Sequence, residues 1–112
     1  MKAKTVMVGD VATSWTAMYT TPPNTRAKLV CCMVDNATGS TVTGIGVRIT
    51  DGVSVNIGAA KSLASGTQIH FLNSSNGYMM LEPGYTVDGI AASANISCIF
   101  TVEETSQIVS TS

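Results

Sequence analysis

Charged residues are scarce in this sequence: Asp, Glu, Lys and Arg make up 12% of its 112 residues, about half the share of a typical soluble domain. Six basic and seven acidic side chains leave a formal net charge of −1. The charge that drives nonspecific binding to nucleic acid is therefore missing, and we expect no nucleic-acid partner. Because charge normally lies on the surface, its scarcity indicates that other protein subunits cover part of this surface.

Long apolar segments are also missing. No run approaches the roughly 20 apolar residues that a membrane-spanning helix needs, so we expect no membrane association. Gly9 and Asp10 interrupt the segment after Lys2 and Lys4, so we expect no secretory signal. The length predicts a single domain over 1–112. Within it, we expect residues 1–14 to form an N-terminal arm or strand and residues 105–112 a flexible or docked C-terminal tail.

Residues that commonly carry catalysis are few and isolated. His70 is the single histidine, and the paired carboxylates Glu103 and Glu104 are sequence neighbours that splay to opposite faces of a strand. The sequence has no phosphate-binding loop, dinucleotide-binding glycine pattern, nucleophile elbow or calcium loop. We therefore expect no enzyme, no catalytic residues, no cofactor and no metal site.

The three cysteines form an odd set, Cys31, Cys32 and Cys98. The adjacent pair points to opposite faces if it lies in a strand, so the two thiols cannot act together as ligands. We expect free cysteines that pack as small hydrophobes. A disulfide between one of the pair and Cys98, within or between chains, is the alternative.

The sequence does contain a hydrophobic pattern with a period of two. Ile96, Cys98, Phe100 and Val102 alternate with polar residues and with Ile99, a pattern typical of a sheet that is buried on one face. Turn signals separate short β-rich runs along the whole chain. The predicted fold is all-β: a single antiparallel β-sandwich, jelly-roll-like, with eight or nine short strands. We predict strands at about 4–8, 15–20, 25–34, 41–50, 53–57, 67–72, 78–82, 85–92 and 95–103, and at most one helical turn within 58–65.

Local signals refine the fourth and fifth strands. Ile45, Val47 and Ile49 alternate with smaller or polar residues and should lie in the core. Gly44 and Gly46 permit a bulge or a close backbone approach. The Asp51-Gly52 dipeptide predicts a two-residue hairpin.

The 25–34 run is apolar on both faces, which indicates a strand covered on both sides. Leu29, Cys31 and Met33 should share the face opposite Val30, Cys32 and Val34. A neighbouring subunit is the natural cover for the first of these faces. The predicted oligomer or partner interface contains Leu29, Cys31, Met33, Met79, Ile108 and Val109.

Aromatic residues suggest a second kind of surface. Trp15 and Tyr19 would lie on one face of a strand, and with Tyr78 and Tyr85 they are the possible stacking residues for a ligand. Core filling is the alternative, because the chain has only six aromatic residues in all.

Taken together, several segments resemble the small β-sandwich virion proteins of tailed bacteriophages. The segments are Tyr19-Thr20-Thr21-Pro22-Pro23-Asn24-Thr25, Lys28-Leu29-Val30, Leu63 to Thr67, and Leu81-Glu82-Pro83-Gly84-Tyr85-Thr86-Val87 with the following Ala-Ser-Ala-Asn. Tyr85 stands where that family's second hairpin usually has Asp, and Thr21-Pro22 replaces its Val-Pro.

The resemblance implies a structural protein that is made in the host cytoplasm and located on the virion. It implies self-association, as a homotrimer, and binding to the major capsid or other virion proteins. A homo-oligomeric capsid decoration (cement) protein is the first hypothesis. A neck, tail or fibre component, including a receptor- or glycan-binding sandwich, is the alternative.

Overall fold

The computed structural model describes residues 2–51, 53–72, 78–92 and 95–106. All regular structure in these ranges is β, which confirms the all-β prediction. The strands are β1 (Lys2–Val8), β2 (Thr16–Thr20), β3 (Thr25–Asn36), β4 (Val42–Thr50), β5 (Ser54–Leu63), β6 (Thr67–Leu72), β7 (Met79–Leu81), β8 (Thr86–Ile90) and β9 (Ile96–Ser106).

The strands form two antiparallel sheets that pack face to face. Sheet A has the order β1-β9-β3-β6, with β7 also paired to β3, and sheet B has the order β2-β8-β4-β5. Leaving the short β7 aside, the first strand pairs with the last, the second with the next to last, and so on inward to the β4–β5 hairpin. The two sheets form the single antiparallel β-sandwich predicted from the sequence.

The core lies between the two sheets. Ile96, Cys98, Phe100 and Val102 of β9 are all at most 2% exposed, as their alternation predicts. The Tyr19 ring, from the edge of sheet B, meets the Phe100 ring edge-on with 6.3 Å between centroids. This contact between aromatic rings joins the two sheets within the core.

A β-bulge in β3 corrects one of the predicted faces. The pairing of β3 with β9 shifts between Leu29 and Cys31, so Val30 is the extra residue. Before the bulge Leu29 points into the core and is fully buried; after it Cys32 and Val34 do so. The prediction that Leu29 shares the outer face with Cys31 and Met33 is therefore wrong.

The β4–β5 hairpin differs from the prediction in two ways. Strand β5 extends to Leu63, so the helical turn considered for 58–65 does not form there. Thr50 pairs with Ser54, so three residues, not two, make the connection. Gly44, with φ of 67°, lies at a register shift of β4, which confirms the predicted bulge.

Candidate functional site

No group of three or more His, Cys, Asp and Glu side chains in the described ranges lies close enough to hold a metal ion. His70 is exposed on β6. Glu104 accepts a hydrogen bond of 2.6 Å from the Tyr19 hydroxyl. A search of the same ranges for a helix long and apolar enough to cross a membrane finds none.

The cysteines are all free. Cys32 and Cys98 lie side by side in the core with 3.9 Å between their sulfur atoms, whereas Cys31 is exposed on the outer face of sheet A. The hydrogen bond with Cys98, together with burial, raises the pKa of the Cys32 thiol far above its usual range. Because a protonated thiol is a poor nucleophile, this pair acts as part of the core.

An apolar row crosses the outer face of sheet A. Met7 of β1, Ile99 of β9 and Met33 of β3 are cross-strand neighbours in register. Met7 is 76% exposed and Ile99 is 36% exposed. We call these three residues the outer apolar row. They line a groove of about 350 Å³ together with Val8, Gly9, Asp35, Ser97 and Cys98.

A second apolar surface lies at the β4–β5 hairpin. Val53 is 71%, Val55 60% and Met80 41% exposed, and we call these three residues the hairpin patch. Val55 pairs with Ile49, whose side chain packs against the core. The sandwich is therefore open at this corner. The cleft has a volume of about 210 Å³ and is lined by Ile49, Asp51, Val53, Val55, Met79, Met80 and Tyr85.

The outer face of sheet B carries a polar cluster instead. Arg48 Nε donates to Asp88 Oδ2 at 2.9 Å, and the Thr86 hydroxyl donates to Asp88 Oδ1 at 2.9 Å. The Arg48 guanidinium lies 4.4 Å from the centre of the Trp15 ring. Asp88 is 5% exposed, so this carboxylate is buried together with its partners.

The structure separates the residues of the predicted interface. Cys31 and Met33 lie on the outer face of sheet A, in and beside the outer apolar row. Met79 is partly buried at the opening beside the hairpin patch. Leu29 lies in the core, and Ile108 and Val109 lie outside the described residues.

The four aromatic residues do not form one binding strip. Trp15 stacks on Arg48 outside sheet B, whereas Tyr19 is 7% exposed and lies in the core. A register shift between Ala17 and Tyr19 accompanies this difference, so the predicted shared face of Trp15 and Tyr19 is wrong.

The remaining two tyrosines lie near the hairpin end of the molecule. Tyr78 is 57% exposed and has the Lys28 ammonium 4.4 Å from its ring centre. The negative charge of Asp51 raises the pKa of Tyr85 above its usual value. These two rings have separate polar partners.

Sequence reasoning missed four of the exposed apolar residues: Met7, Val53, Val55 and Ile99. One signal for them was present. Ile99 falls among Asn95, Ser97 and Thr101 on the polar side of the β9 alternation, where an apolar residue marks a surface that another molecule can cover.

Comparison with known proteins gives two remote likenesses. No family model matches the chain, and no curated protein matches it. Two solved structures of pentameric capsid proteins isolated from metagenomic phage sequences are similar to it, with TM-scores of 0.47 and 0.45 and 12% identity. The aligned region covers 91% of this chain but 61% and 63% of theirs, so the chain spans about three fifths of their length. A likeness this remote concerns the general shape of the sandwich and carries no conclusion about function.

Proposed function

We propose that this protein is a homo-oligomeric structural subunit of a tailed-bacteriophage virion, and specifically a capsid decoration (cement) protein that binds and stabilises the shell. The observation that carries the proposal is the pair of solvent-open apolar surfaces, the outer apolar row and the hairpin patch. Each surface is rimmed by polar residues, which is typical of protein-binding sites. The resemblance of the sequence to phage virion sandwiches supplies the setting.

Two separated surfaces suit a protein that contacts two neighbours at once. A stable contact of standard size buries roughly 800 Å² on each partner. A subunit that joins a copy of itself through one contact and a shell protein through another adds buried area between shell subunits. Such a protein needs no catalytic residue.

The decisive experiment measures mass and virion binding with the same preparation. Analytical ultracentrifugation should give an oligomer, with three copies expected from the resemblance. Sedimentation with particles of the encoding phage that lack the protein should recover it in the particle fraction, and cryo-electron microscopy should then locate it on the shell. A monomer that stays in the supernatant would overturn the proposal.

The alternative is a neck, tail or fibre component, including a receptor- or glycan-binding sandwich. Among the four aromatic residues, exposed Tyr78 is the best placed to meet a ligand, but Lys28 already lies over its ring. A glycan array with the wild type and with Tyr78→Ala separates the two functions. Binding that Tyr78→Ala abolishes would favour the alternative, as would density on the tail in place of the shell.

A further inference from the structure

The edges of the two sheets differ in how well they are protected from pairing with another strand. An edge strand presents free backbone N–H and C=O groups, and natural proteins limit this hazard with short strands, bulges or charges. Among the described residues, β2 and β5 are the edges of sheet B, whereas β1 on one side and β6 with β7 on the other are the edges of sheet A. The length and regularity of these strands decide which edge is open.

All of these edge strands except β1 are short or irregular. β2 has five residues and a register shift, and β5 has three register shifts against β4. β6 has a register shift against β3, and β7 has three residues. In contrast, the seven residues of β1 pair with β9 in one unbroken register, from Lys2 opposite Glu104 to Val8 opposite Cys98. Of the described edges, β1 is therefore the open one.

The two lysines of β1 do not protect this edge, because both have partners within the chain. Lys2 lies directly opposite Glu104, on the same face of sheet A. The Lys4 ammonium lies 5.8 Å from the centre of the Tyr19 ring, whose hydroxyl donates to Glu104 at 2.6 Å. Val6, the next residue on that face, packs against the core. The lysines therefore lie on the face that packs on sheet B.

The sequence of β1 is self-complementary in one antiparallel register. A two-fold contact sets β1 of one copy beside β1 of another, and residues that face each other lie on the same side of the joined sheet. When Thr5 faces Thr5, all seven residues of the strand find a partner. No two lysines face each other, and the large Met7 faces the small Ala3. The pairs are Lys2 with Val8, Ala3 with Met7, Lys4 with Val6, and Thr5 with itself.

Moving the centre of this contact by one residue is unfavourable in either direction. A contact centred on Lys4 sets two ammonium groups opposite each other, which destabilises a sheet. A contact centred on Val6 leaves Lys2 and Ala3 without partners. The register centred on Thr5 avoids both costs. Because alternate pairs of an antiparallel ladder exchange two hydrogen bonds each, it adds about six to eight main-chain hydrogen bonds.

We infer that β1 of one copy pairs with β1 of a second copy, antiparallel and with Thr5 opposite Thr5, so that the two A sheets join into one continuous sheet across a two-fold axis. The pairing satisfies the open edge and places Met7, 76% exposed, beside Ala3 of the second copy. The inference rests on the self-association in the proposed function and adds the element through which two copies meet.

Disulfide trapping tests both the contact and its register. All chains carry Cys31→Ser to remove the exposed thiol, and oxidised glutathione is the oxidant. Residues that face each other across antiparallel strands have Cα atoms about 4.5–5.5 Å apart, within the range of a disulfide. Thr5→Cys should therefore give at least about tenfold more covalent dimer than Thr20→Cys, the matched control on the exposed β2 edge. Ala3→Cys and Met7→Cys should each dimerise little alone but should cross-link to each other when differently tagged chains are mixed.

The variant Thr5→Lys tests the same contact without oxidation. It sets two ammonium groups opposite each other at the centre of the pairing, so the dissociation constant should rise at least about tenfold in sedimentation velocity. Thr20→Lys, which adds the same charge to the β2 edge, should leave the dissociation constant unchanged. Equal weakening by the two variants would overturn the inference.

The outcomes separate this inference from the proposed function. A two-fold contact gives an even number of copies, so three copies, the number that the resemblance implies, would overturn the inference and leave the proposed function intact. An oligomer in which Thr5→Cys does not cross-link would do the same, as would Ala3→Cys that cross-links to itself. Thr5→Cys that is trapped only on a shell protein would assign the edge to another partner and overturn the inference. A monomer that does not bind virions would overturn both.

Discussion

The outer faces of the two sheets differ in the side chains that they expose to water. On sheet B, Asp88 has Arg48 and Thr86 as hydrogen-bond partners, and Trp15 covers the guanidinium. On sheet A, Met7 and Ile99 lie on the outer face and are 76% and 36% exposed. The polar groups of the first face are paired within the chain, whereas the second face leaves apolar side chains exposed.

This difference indicates which face can gain free energy when a partner covers it. A buried ion pair that is already satisfied gains little from a partner, because a new contact would have to replace existing hydrogen bonds. An exposed apolar row gains about 25 cal/mol for each Å² that a partner removes from water. The comparison therefore predicts that substitutions on sheet B change the free energy of unfolding, and that substitutions on sheet A change association.

The largest effect on stability is expected from Arg48→Met. The substitution leaves the Asp88 carboxylate buried without its cation, which should lower the free energy of unfolding by about 3 kcal/mol. Urea unfolding of the isolated domain measures this change. The partner substitution Asp88→Asn in the same chain removes the stranded charge and should recover much of the loss.

The matched control is Arg26→Met, which breaks the other ion pair of the described residues. Arg26 Nε lies 3.0 Å from Glu82, but these two side chains are 46% and 39% exposed. Solvent screens such a pair, so the cost should stay below about 1 kcal/mol. Equal losses in Arg48→Met and Arg26→Met would show that the sheet B cluster is no more than a surface pair.

A smaller loss is expected from Tyr19→Phe, which cuts the hydrogen bond between the two sheets. The Tyr19 hydroxyl donates to Glu104 at 2.6 Å, and burial together with this bond raises the pKa of Tyr19 above its usual value. Its removal should cost about 1–2 kcal/mol at neutral pH. Tyr78→Phe, at an exposed ring, should cost less than about 0.5 kcal/mol.

The pH dependence of this loss follows from the direction of the pKa shift. Below about pH 10 the phenol of Tyr19 is protonated in both the folded and the unfolded chain, so its contribution is fully present. Above that pH the unfolded chain ionises first, and the contribution falls as pH rises. Unfolding free energies of wild type and Tyr19→Phe should therefore converge between about pH 10 and 11. A constant difference across this range would contradict the role of the hydrogen bond.

Much of the fold was predictable because alternation alone determines which side of a strand faces a core. The β9 pattern assigned Ile96, Cys98, Phe100 and Val102 correctly, and neighbouring turn signals separated the strands. The face of Leu29 was not predictable. Val30, the extra residue of the bulge, is apolar like Leu29, so the bulge leaves no trace in the hydrophobic pattern.

The exposed apolar surfaces were harder to predict from the sequence than the core. Alternation places Met7 and Ile99 outside the core. It does not show that the two residues become neighbours, because β1 and β9 are far apart in the sequence and pair only in the folded protein. Likewise, a turn of three residues in place of two left Val53 outside the ladder of β5. The Asp51-Gly52 dipeptide predicted the hairpin but not the number of residues in its turn.

On sheet A, the combined substitution Met7→Ser and Ile99→Thr should change stability little and association strongly. Both side chains are partly in water, and threonine keeps the β-branched shape of isoleucine, so unfolding should change by less than about 1 kcal/mol. Loss of two central apolar contacts should raise the dissociation constant at least about tenfold. Sedimentation velocity over a range of concentrations measures this constant.

The control for association is Thr20→Lys on sheet B, which adds a charge to an exposed position of the other compared region. Its dissociation constant should match that of the wild type. If Thr20→Lys weakens association as much as the sheet A substitutions do, then the contrast between the two faces is wrong.

Thiol labelling perturbs the protein least, because it compares the reactivity of the cysteines on the two sides of β3 without any substitution. Cys31 is exposed and pairs with Thr101, which lies two residues from Ile99 along β9, whereas Cys32 is buried beside Cys98. In dilute protein, Cys31 should react with an aromatic disulfide reagent within minutes. Cys32 should react only at the rate of unfolding, because its raised pKa keeps it protonated and the core excludes the reagent.

Repeating the labelling at increasing protein concentration tests whether a second copy covers the surface around Cys31. If a second copy covers the outer apolar row, the reaction of Cys31 should slow several-fold once the protein concentration exceeds the dissociation constant. The Met7→Ser and Ile99→Thr chain should lose that slowing and keep the slow reaction of Cys32. A Cys31 rate that is independent of concentration in an oligomer would place the contact elsewhere, since a partner on the row would shield the neighbouring strand position.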